Sequence, residues 1–300
     1  MAFVFLMMQK TKLHPEGPEL SRIIVGAWRW TNESTAYIEK LIQTSLQNGI
    51  TTFDHADIYG NYTCEESFGN VLRNNSSLRS KLQLITKFGI RMLSDKRPEH
   101  KVKHYDTSRE HTVRSVENSL KALGTDHIDV LLIHRPDPLL NPTEVAETFS
   151  TLKQHGKVLH FGVSNFTPTQ FEMLQSYLPF PLVTNQIELS LFRNDPFFNG
   201  DTDILMKHKV KPMAWSPLGG GKFFEDERIK GVLERLSGAY NITAMQLMLA
   251  WLLRHPSGVL PILGTTKAER ITEGAAAIKV NLDRQHWFEL LRAVTGKDVA

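Results

Sequence analysis

The sequence predicts an α/β fold: a single (β/α)8 TIM barrel over residues 1–300, with extra loops and a C-terminal helix. Three observations lead there. Short apolar runs rich in β-branched residues alternate with longer stretches of helical period, about eight times. Several runs, such as Ile-Asp-Val-Leu-Leu-Ile at 128–133, are apolar almost throughout, as parallel strands covered on both faces by helices must be. An open doubly wound sheet would alternate in the same way, but the first run is not followed by a Gly-x-Gly-x-x-Gly dinucleotide loop, and that favours the closed barrel.

In chain order the expected strands and helices are Ile23–Val25 then 35–48, Thr51–Phe53 then 65–74, and Leu82–Thr86 then 109–123. They continue with Ile128–Ile133 then 142–155, Val158–Val163 then 168–176, Leu182–Asn185, Lys211–Trp215 then 243–253, and Val259–Ile262, with a last helical segment near 284–294. No Pro/Gly/Ser linker or low-complexity tract interrupts them, so one domain is expected.

Composition excludes several classes. With 41% apolar and 22% charged residues the 300-residue chain can build a large core, and a net charge of +3 gives no reason to expect a nucleic-acid partner. A single cysteine, Cys64, makes no internal disulfide, so a cytoplasmic location is expected. The apolar start Met1–Met8 is too short to span a membrane and lacks signal-peptide features, so it reads as a terminal strand or disordered start, with no membrane role. Asn-x-Ser/Thr matches, such as those at Asn61 and Asn165, then carry no meaning. No metal-site pattern is present, and neither a Gly-x-Ser-x-Gly elbow nor a Walker loop occurs.

Barrel chemistry sits at the C-terminal ends of the strands. The run ends carry Asp54, Lys87, His134, Ser164-Asn165, Gln186, Trp215-Ser216 and Gly264-Thr265. Singly, each has an ordinary role: Asp54 as a helix cap, Tyr59 as an amphipathic packing residue, Lys87 as a snorkelling surface cation, His134 as a core histidine. Together they make a proton donor. A tyrosine of ordinary pKa about 10 needs a nearby cation to exchange a proton near neutrality. Lys87 supplies it, Asp54 pairs with the buried lysine, and His134 orients a carbonyl oxygen beside the Tyr59 hydroxyl.

Over nearly its whole length the chain resembles the aldo-keto reductase superfamily. The segment Gly49-Ile-Thr-Thr-Phe-Asp-His-Ala-Asp-Ile-Tyr-Gly60 is similar to the family's stretch with the catalytic aspartate and tyrosine, with His55 where Ser or Thr is usual. Ile85-Thr86-Lys87 and Leu131-Leu132-Ile133-His134 look like its strand-end lysine and histidine. Gly162-Val163-Ser164-Asn165-Phe166 resembles its most characteristic segment, in which the Ser-Asn pair bonds the nicotinamide amide.

The resemblance implies a bound NADPH or NADP+, preferred over NADH. Gln186 would also touch the nicotinamide, and Trp215 would stack on it where the family more often has tyrosine. Ser216-Pro217-Leu218, with Gly219 to Lys222, would lie over the pyrophosphate. Gly264, Thr265, Lys267, Arg270 and Glu273 would grip the adenosine 2'-phosphate and adenine, although Gly274 stands in place of an asparagine. Trp28 and Trp30 would line an apolar substrate pocket.

The expected activity is reduction of an aldehyde or ketone to an alcohol, with Tyr59 as proton donor to a small-molecule carbonyl substrate. The chain would act as a monomer or homo-oligomer. The long polar segment 88–108 is the first candidate for substrate choice. An alternative is a cofactor-sensing or scaffolding subunit of the same fold, like the β subunit of potassium channels, with little turnover. A redox sensor at Cys64 is disfavoured, because Glu65 and Glu66 would raise its pKa.

Overall fold

A computed structural model describes residues 10–224 and 227–300; the Met1–Met8 run lies outside them. Eight parallel strands close into a barrel. They are β1 (Ile24–Gly26), β2 (Thr52–Asp54), β3 (Gln83–Phe88) and β4 (Ile128–Ile133), then β5 (Val158–Ser164), β6 (Leu182–Glu188), β7 (Met213–Trp215) and β8 (Leu260–Leu263). Each pairs with its sequence neighbours, and β8 closes on β1 through Ile262 opposite Ile24 and Leu263 opposite Val25. The expected eight strands are therefore all present, in the expected order.

The boundaries that differ have local causes. Strand β7 starts at Met213 rather than Lys211, because Pro212 has no N–H to give the ladder; its carbonyl accepts from Leu260 N instead. Strand β6 runs past Asn185 to Glu188, since its buried polar side chains find partners within the fold. Asn185 Nδ2 donates to the Phe166 carbonyl at 2.8 Å, and Ile187 and Glu188 pair with Ala214 and Trp215 of β7.

The helices are α1 (Thr35–Gln47), α2 (Cys64–Asn74), α3 (Arg109–Leu123), α4 (Pro142–Gln154) and α5 (Pro168–Tyr177), then α6 (Asp201–Lys207), α7 (Glu227–Tyr240), α8 (Ala244–Leu253), α9 (Ala268–Ala276) and α10 (Arg284–Thr295). Several of them start on a side-chain cap. Asn141 caps α4 with Pro142 in its first turn, and Thr167 with Gln170 and Thr243 with Gln246 form capping boxes on α5 and α8. Helices α6, α7 and α9 were not anticipated. No single helix among the described residues is long and apolar enough to cross a membrane.

A two-stranded hairpin, Lys10–Lys12 with Glu19–Ser21, precedes the barrel. It closes the barrel's N-terminal end: Leu13 and Leu20 pack with the interior residues Ile24, Ile85, Val130 and Met213. Ser21 Oγ accepts from the N–H groups of Thr51 and Thr52 at the entry to β2. The other apolar clusters lie between strands and helices, so the barrel interior is packed and leaves room for chemistry at the opposite rim. One contact there has no slack: a Cβ on Gly69 of α2 would fall 1.9 Å from the Ala122 carbonyl of α3.

Candidate active site

Strand β2 ends on Asp54, and its two oxygens are held from opposite sides. Lys87 Nζ donates to Oδ2 at 2.7 Å and Gln186 Nε2 to Oδ1 at 2.8 Å. Lys87 points inward from β3 and is fully buried. Its other two protons go to the His55 carbonyl at 2.7 Å and the Tyr59 hydroxyl at 3.0 Å, so all three donors are used. Burial alone would push the lysine's pKa down, yet Asp54 and Tyr59 outweigh it and the lysine titrates above its ordinary value.

Tyr59 reaches this ammonium because the chain turns sharply after it. Gly60 sits at φ +60° in a short turn over Tyr59–Tyr62, and a Cβ there would meet Cys64 Sγ at 2.7 Å. Only glycine fits both the conformation and the space. Burial raises the Tyr59 pKa and Lys87 lowers it, with the net shift upward. The hydroxyl thus holds its proton at neutral pH, 3.0 Å from an ammonium whose charge would favour a phenolate.

His134 follows β4 directly and stands edge-on to Tyr59, ring centroids 5.9 Å apart. Burial first, then the charges of Lys87, Arg135 and Lys103, hold its pKa well below the usual histidine range, and its Nδ1 is buried without a hydrogen-bond partner among the described residues. A neutral imidazole beside a tyrosine hydroxyl can donate to an oxygen placed between them.

At the end of β5 the backbone of Asn165 is left-handed, φ +60°, as is Ser216 after β7, φ +50°. These strained turns fix a side-chain chain of bonds. Trp215 Nε1, which can only donate, bonds Asn165 Oδ1 at 3.0 Å and so fixes the amide's orientation. Asn165 Nδ2 then donates to Ser164 Oγ, and Ser164 Oγ to the Gln186 carbonyl, both at 2.8 Å.

These groups line one cavity of about 640 Å³ at the C-terminal rim. Asp54, Tyr59, His134, Ser164, Asn165, Gln186 and Trp215 stand at one end. Ser216, Pro217, Leu218, Gly264, Thr265, Arg270 and Glu273 form the rest of the expected wall, with Trp28 beside them. Three expected residues lie elsewhere. Lys87 is behind the wall, acting through Asp54 and Tyr59. Lys267 occupies the cap position of α9 with its side chain in solvent.

Trp30 does not line the cavity, correcting its expected role in the substrate pocket. Its ring is buried between Phe53 and Phe68, and its indole N–H bonds the Thr265 carbonyl at 2.9 Å. The next loop apolar residue after Trp28 is thus taken by the core, where it pins the β8 loop. The 88–108 segment also falls short of the wall. It forms a small hairpin, Ile90–Arg91 with His104–Tyr105, that packs on the turn after Tyr59 and on α3: the Met92 N–H donates to the Tyr62 hydroxyl at 3.2 Å, and Arg91 meets His111 at 3.2 Å.

Sequence reasoning missed Arg29, Arg135 and the start of α8. There Thr243 Oγ1 donates to Glu273 at 2.5 Å and Gln246 Nε2 to the Glu273 carbonyl, so one capping box also braces the cavity's far end. The Thr-x-x-Gln spacing was a readable signal for the helix, though not for its contact with α9.

Behind the Asp54–Tyr59 segment lies a layer of buried ionisable groups. Among the described residues His55 has no hydrogen-bond partner on either ring nitrogen, and it is pushed down to about 3 by burial and then Lys87. Asp57 is pushed up to about 8 by burial and then Glu65, and Glu65 up to about 7 by burial. Burial, followed by Glu65, also lifts Cys64 to about 11, which keeps it an unreactive thiol.

The residues suit a dinucleotide. Gly220 and Gly221 bring bare backbone to the wall, with open space where a Cβ would be. Arg29 and Arg270 supply cations for phosphates, and the orphaned His134 Nδ1 and the Ser164–Asn165 pair supply polar contacts at the other end.

Comparison with known proteins agrees. The model of the aldo/keto reductase family matches residues 22–294. The uncharacterized oxidoreductase YcsN of Bacillus subtilis is 48% identical, over 97% of this chain and 100% of that protein. A 6-dehydroglucose reductase of Agrobacterium fabrum is 46% identical, over 94% of this chain and 97% of its own. The crystal structure of an aldo/keto reductase from Klebsiella pneumoniae in complex with NADP and acetate superposes with a TM-score of 0.78 at 25% identity, covering 95% of each chain.

Proposed function

The chain belongs to the aldo/keto reductase family of oxidoreductases, and from that premise we propose that it reduces small aldehydes or ketones to alcohols with NADPH, Tyr59 donating the proton. One observation carries the reading: a fully buried lysine ammonium bridges a carboxylate and a tyrosine hydroxyl at the rim of the barrel. An ordinary core would not keep so costly a group there without use for it.

Bound NADPH would supply the hydride to the carbonyl carbon. Ser164, Asn165, Gln186 and Trp215 would hold its nicotinamide, Ser216 to Leu218 its pyrophosphate, and Arg270 with Lys267 and Glu273 its adenosine end. Lys267, in solvent at the α9 cap, would have to swing inward to serve; Arg270 already lines the cavity, so it carries the preference for NADPH over NADH. Gln186 keeps its amide oxygen for the nicotinamide while its nitrogen stays on Asp54.

Tyr59 Oη hands its proton to the substrate oxygen as negative charge develops there, and neutral His134 steadies the same oxygen. Lys87, 3.0 Å away, balances the resulting phenolate, and Asp54 keeps the lysine charged throughout.

The test is NADPH oxidation followed with a panel of aldehydes, ketones and dicarbonyls that includes sugar aldehydes, because one relative is a 6-dehydroglucose reductase. Quenching of tryptophan fluorescence by NADPH and NADH runs beside it. Turnover with quenching is expected. Quenching without turnover would favour the cofactor-sensing alternative, and a folded protein that bound neither nucleotide would overturn the reading.

A further inference from the structure

Arg135 is a half-buried cation on the cavity wall with its hydrogen-bonding capacity unspent. It directly follows His134, and its Cζ lies 5.5 Å from the centroid of the Trp215 ring. Among the described residues its guanidinium has neither a hydrogen bond nor a carboxylate partner. Lys87, by contrast, is committed to Asp54 and Tyr59. Among the described residues the side chains of Arg29, over the Trp28 ring at 4.4 Å, and Arg270, on α9, have no hydrogen bond either, and they are the cations assigned above to phosphates.

A guanidinium offers five donors and accepts nothing, so a fork held by an aromatic face needs oxygen acceptors from whatever enters the cavity. The carbonyl oxygen itself falls to Tyr59 and His134. Acceptors for Arg135 must then sit on the carbons next to the carbonyl. The charge of Lys103, on the 88–108 segment, also acts on His134. Trp28, exposed at the mouth, adds an aromatic wall that suits the C–H bonds of a sugar-like chain.

We infer that Arg135 sets substrate choice, donating from its guanidinium to hydroxyl oxygens beside the reacting carbonyl, so that the site prefers polyhydroxylated aldehydes to plain alkyl ones. This rests on the reductase reading above. It places substrate selection on the fourth strand end, next to the catalytic histidine, and not on the 88–108 hairpin.

The experiment compares D-glyceraldehyde, propanal and D-glyceraldehyde 3-phosphate as substrates of the full chain with NADPH. Wild type should favour glyceraldehyde over propanal in kcat/KM by about tenfold or more, as expected for donors left unpaired by the deoxygenated analogue. In Arg135→Met that ratio should collapse toward one, mainly through KM for glyceraldehyde, and Arg135→Lys should restore part of it.

Equal losses on both aldehydes would make Arg135 a prop for Trp215 and overturn the inference. So would a strong preference for the phosphate ester that fades with salt, since the site would then read an anion. No turnover with any aldehyde would instead overturn the reductase reading, and the inference with it.

Discussion

Gln186 and Asp54 lie 132 residues apart in the chain, and the Gln186 side-chain amide donates to the Asp54 carboxylate at 2.8 Å inside the barrel. With Lys87 on the other oxygen, the carboxylate is held from both sides and cannot rotate away from the ammonium. The geometry of the proton donor is therefore set by strands β2, β3 and β6 together, and its consequences can be measured.

Removing the Tyr59 hydroxyl should remove proton transfer and little else, because the ring remains to fill its place. Tyr59→Phe is expected to lower kcat by about a hundred- to ten-thousand-fold while NADPH still quenches tryptophan fluorescence. Reduction of aldehydes at the wild-type rate would remove Tyr59 from the role of acid.

Lys87 is the proposed support of Tyr59 and also a buried charge. Lys87→Met would leave the buried Asp54 without its counter-ion, and about 3–5 kcal/mol of stability should be lost in urea unfolding. Pairing it with Asp54→Asn should recover much of that loss without restoring activity. If the double variant is no more stable than the single one, the ion pair is not the source of the cost.

Two buried groups act on the stability profile in opposite senses. His55 has a folded pKa of about 3 against an ordinary 6.5, so the unfolded chain takes up a proton that the folded one refuses, and stability falls as pH drops below 6.5. His55→Leu should reduce the slope of unfolding free energy against pH, between pH 6 and 4, by about 1.4 kcal/mol per pH unit relative to wild type.

Asp57 is the reverse case, with a folded pKa of about 8 against 3.8. The folded chain keeps this proton while the unfolded one releases it, so stability falls as pH rises from 4 to 8. Asp57→Asn should gain stability over wild type at pH 8 more than at pH 5. Chemical unfolding at both pH values checks this, and an equal effect at the two would show that Asp57 ionises normally.

The packing of α2 on α3 gives a test away from the site. Gly69→Ala would place a methyl 1.9 Å from the Ala122 carbonyl, a backbone atom that cannot swing aside. A loss of about 3 kcal/mol or more is expected in thermal or urea unfolding. Wild-type stability would mean that the two helices slide apart at little cost.

The sequence by itself determined the barrel and the chemistry of its rim. Strand runs such as Ile128–Ile133 are read from local burial on both faces, and a strand end is a local event, so Asp54, Lys87, His134 and Ser164-Asn165 could be placed on one rim from alternation alone. Tertiary structure decided everything that depends on which element lies against which. Trp28 reaches the cavity and Trp30 the Phe53–Phe68 core because of where α2 packs. Gln186 turns to Asp54 because β6 faces β2 across the barrel, and Thr243 meets Glu273 because α8 packs beside α9. Arg135 carries no pattern of its own in the sequence; only the closed barrel sets it over Trp215, leaves it without a carboxylate among the described residues, and turns an ordinary surface cation into part of the wall. Such contacts join residues far apart in the chain, and their energies exist only once the barrel has closed.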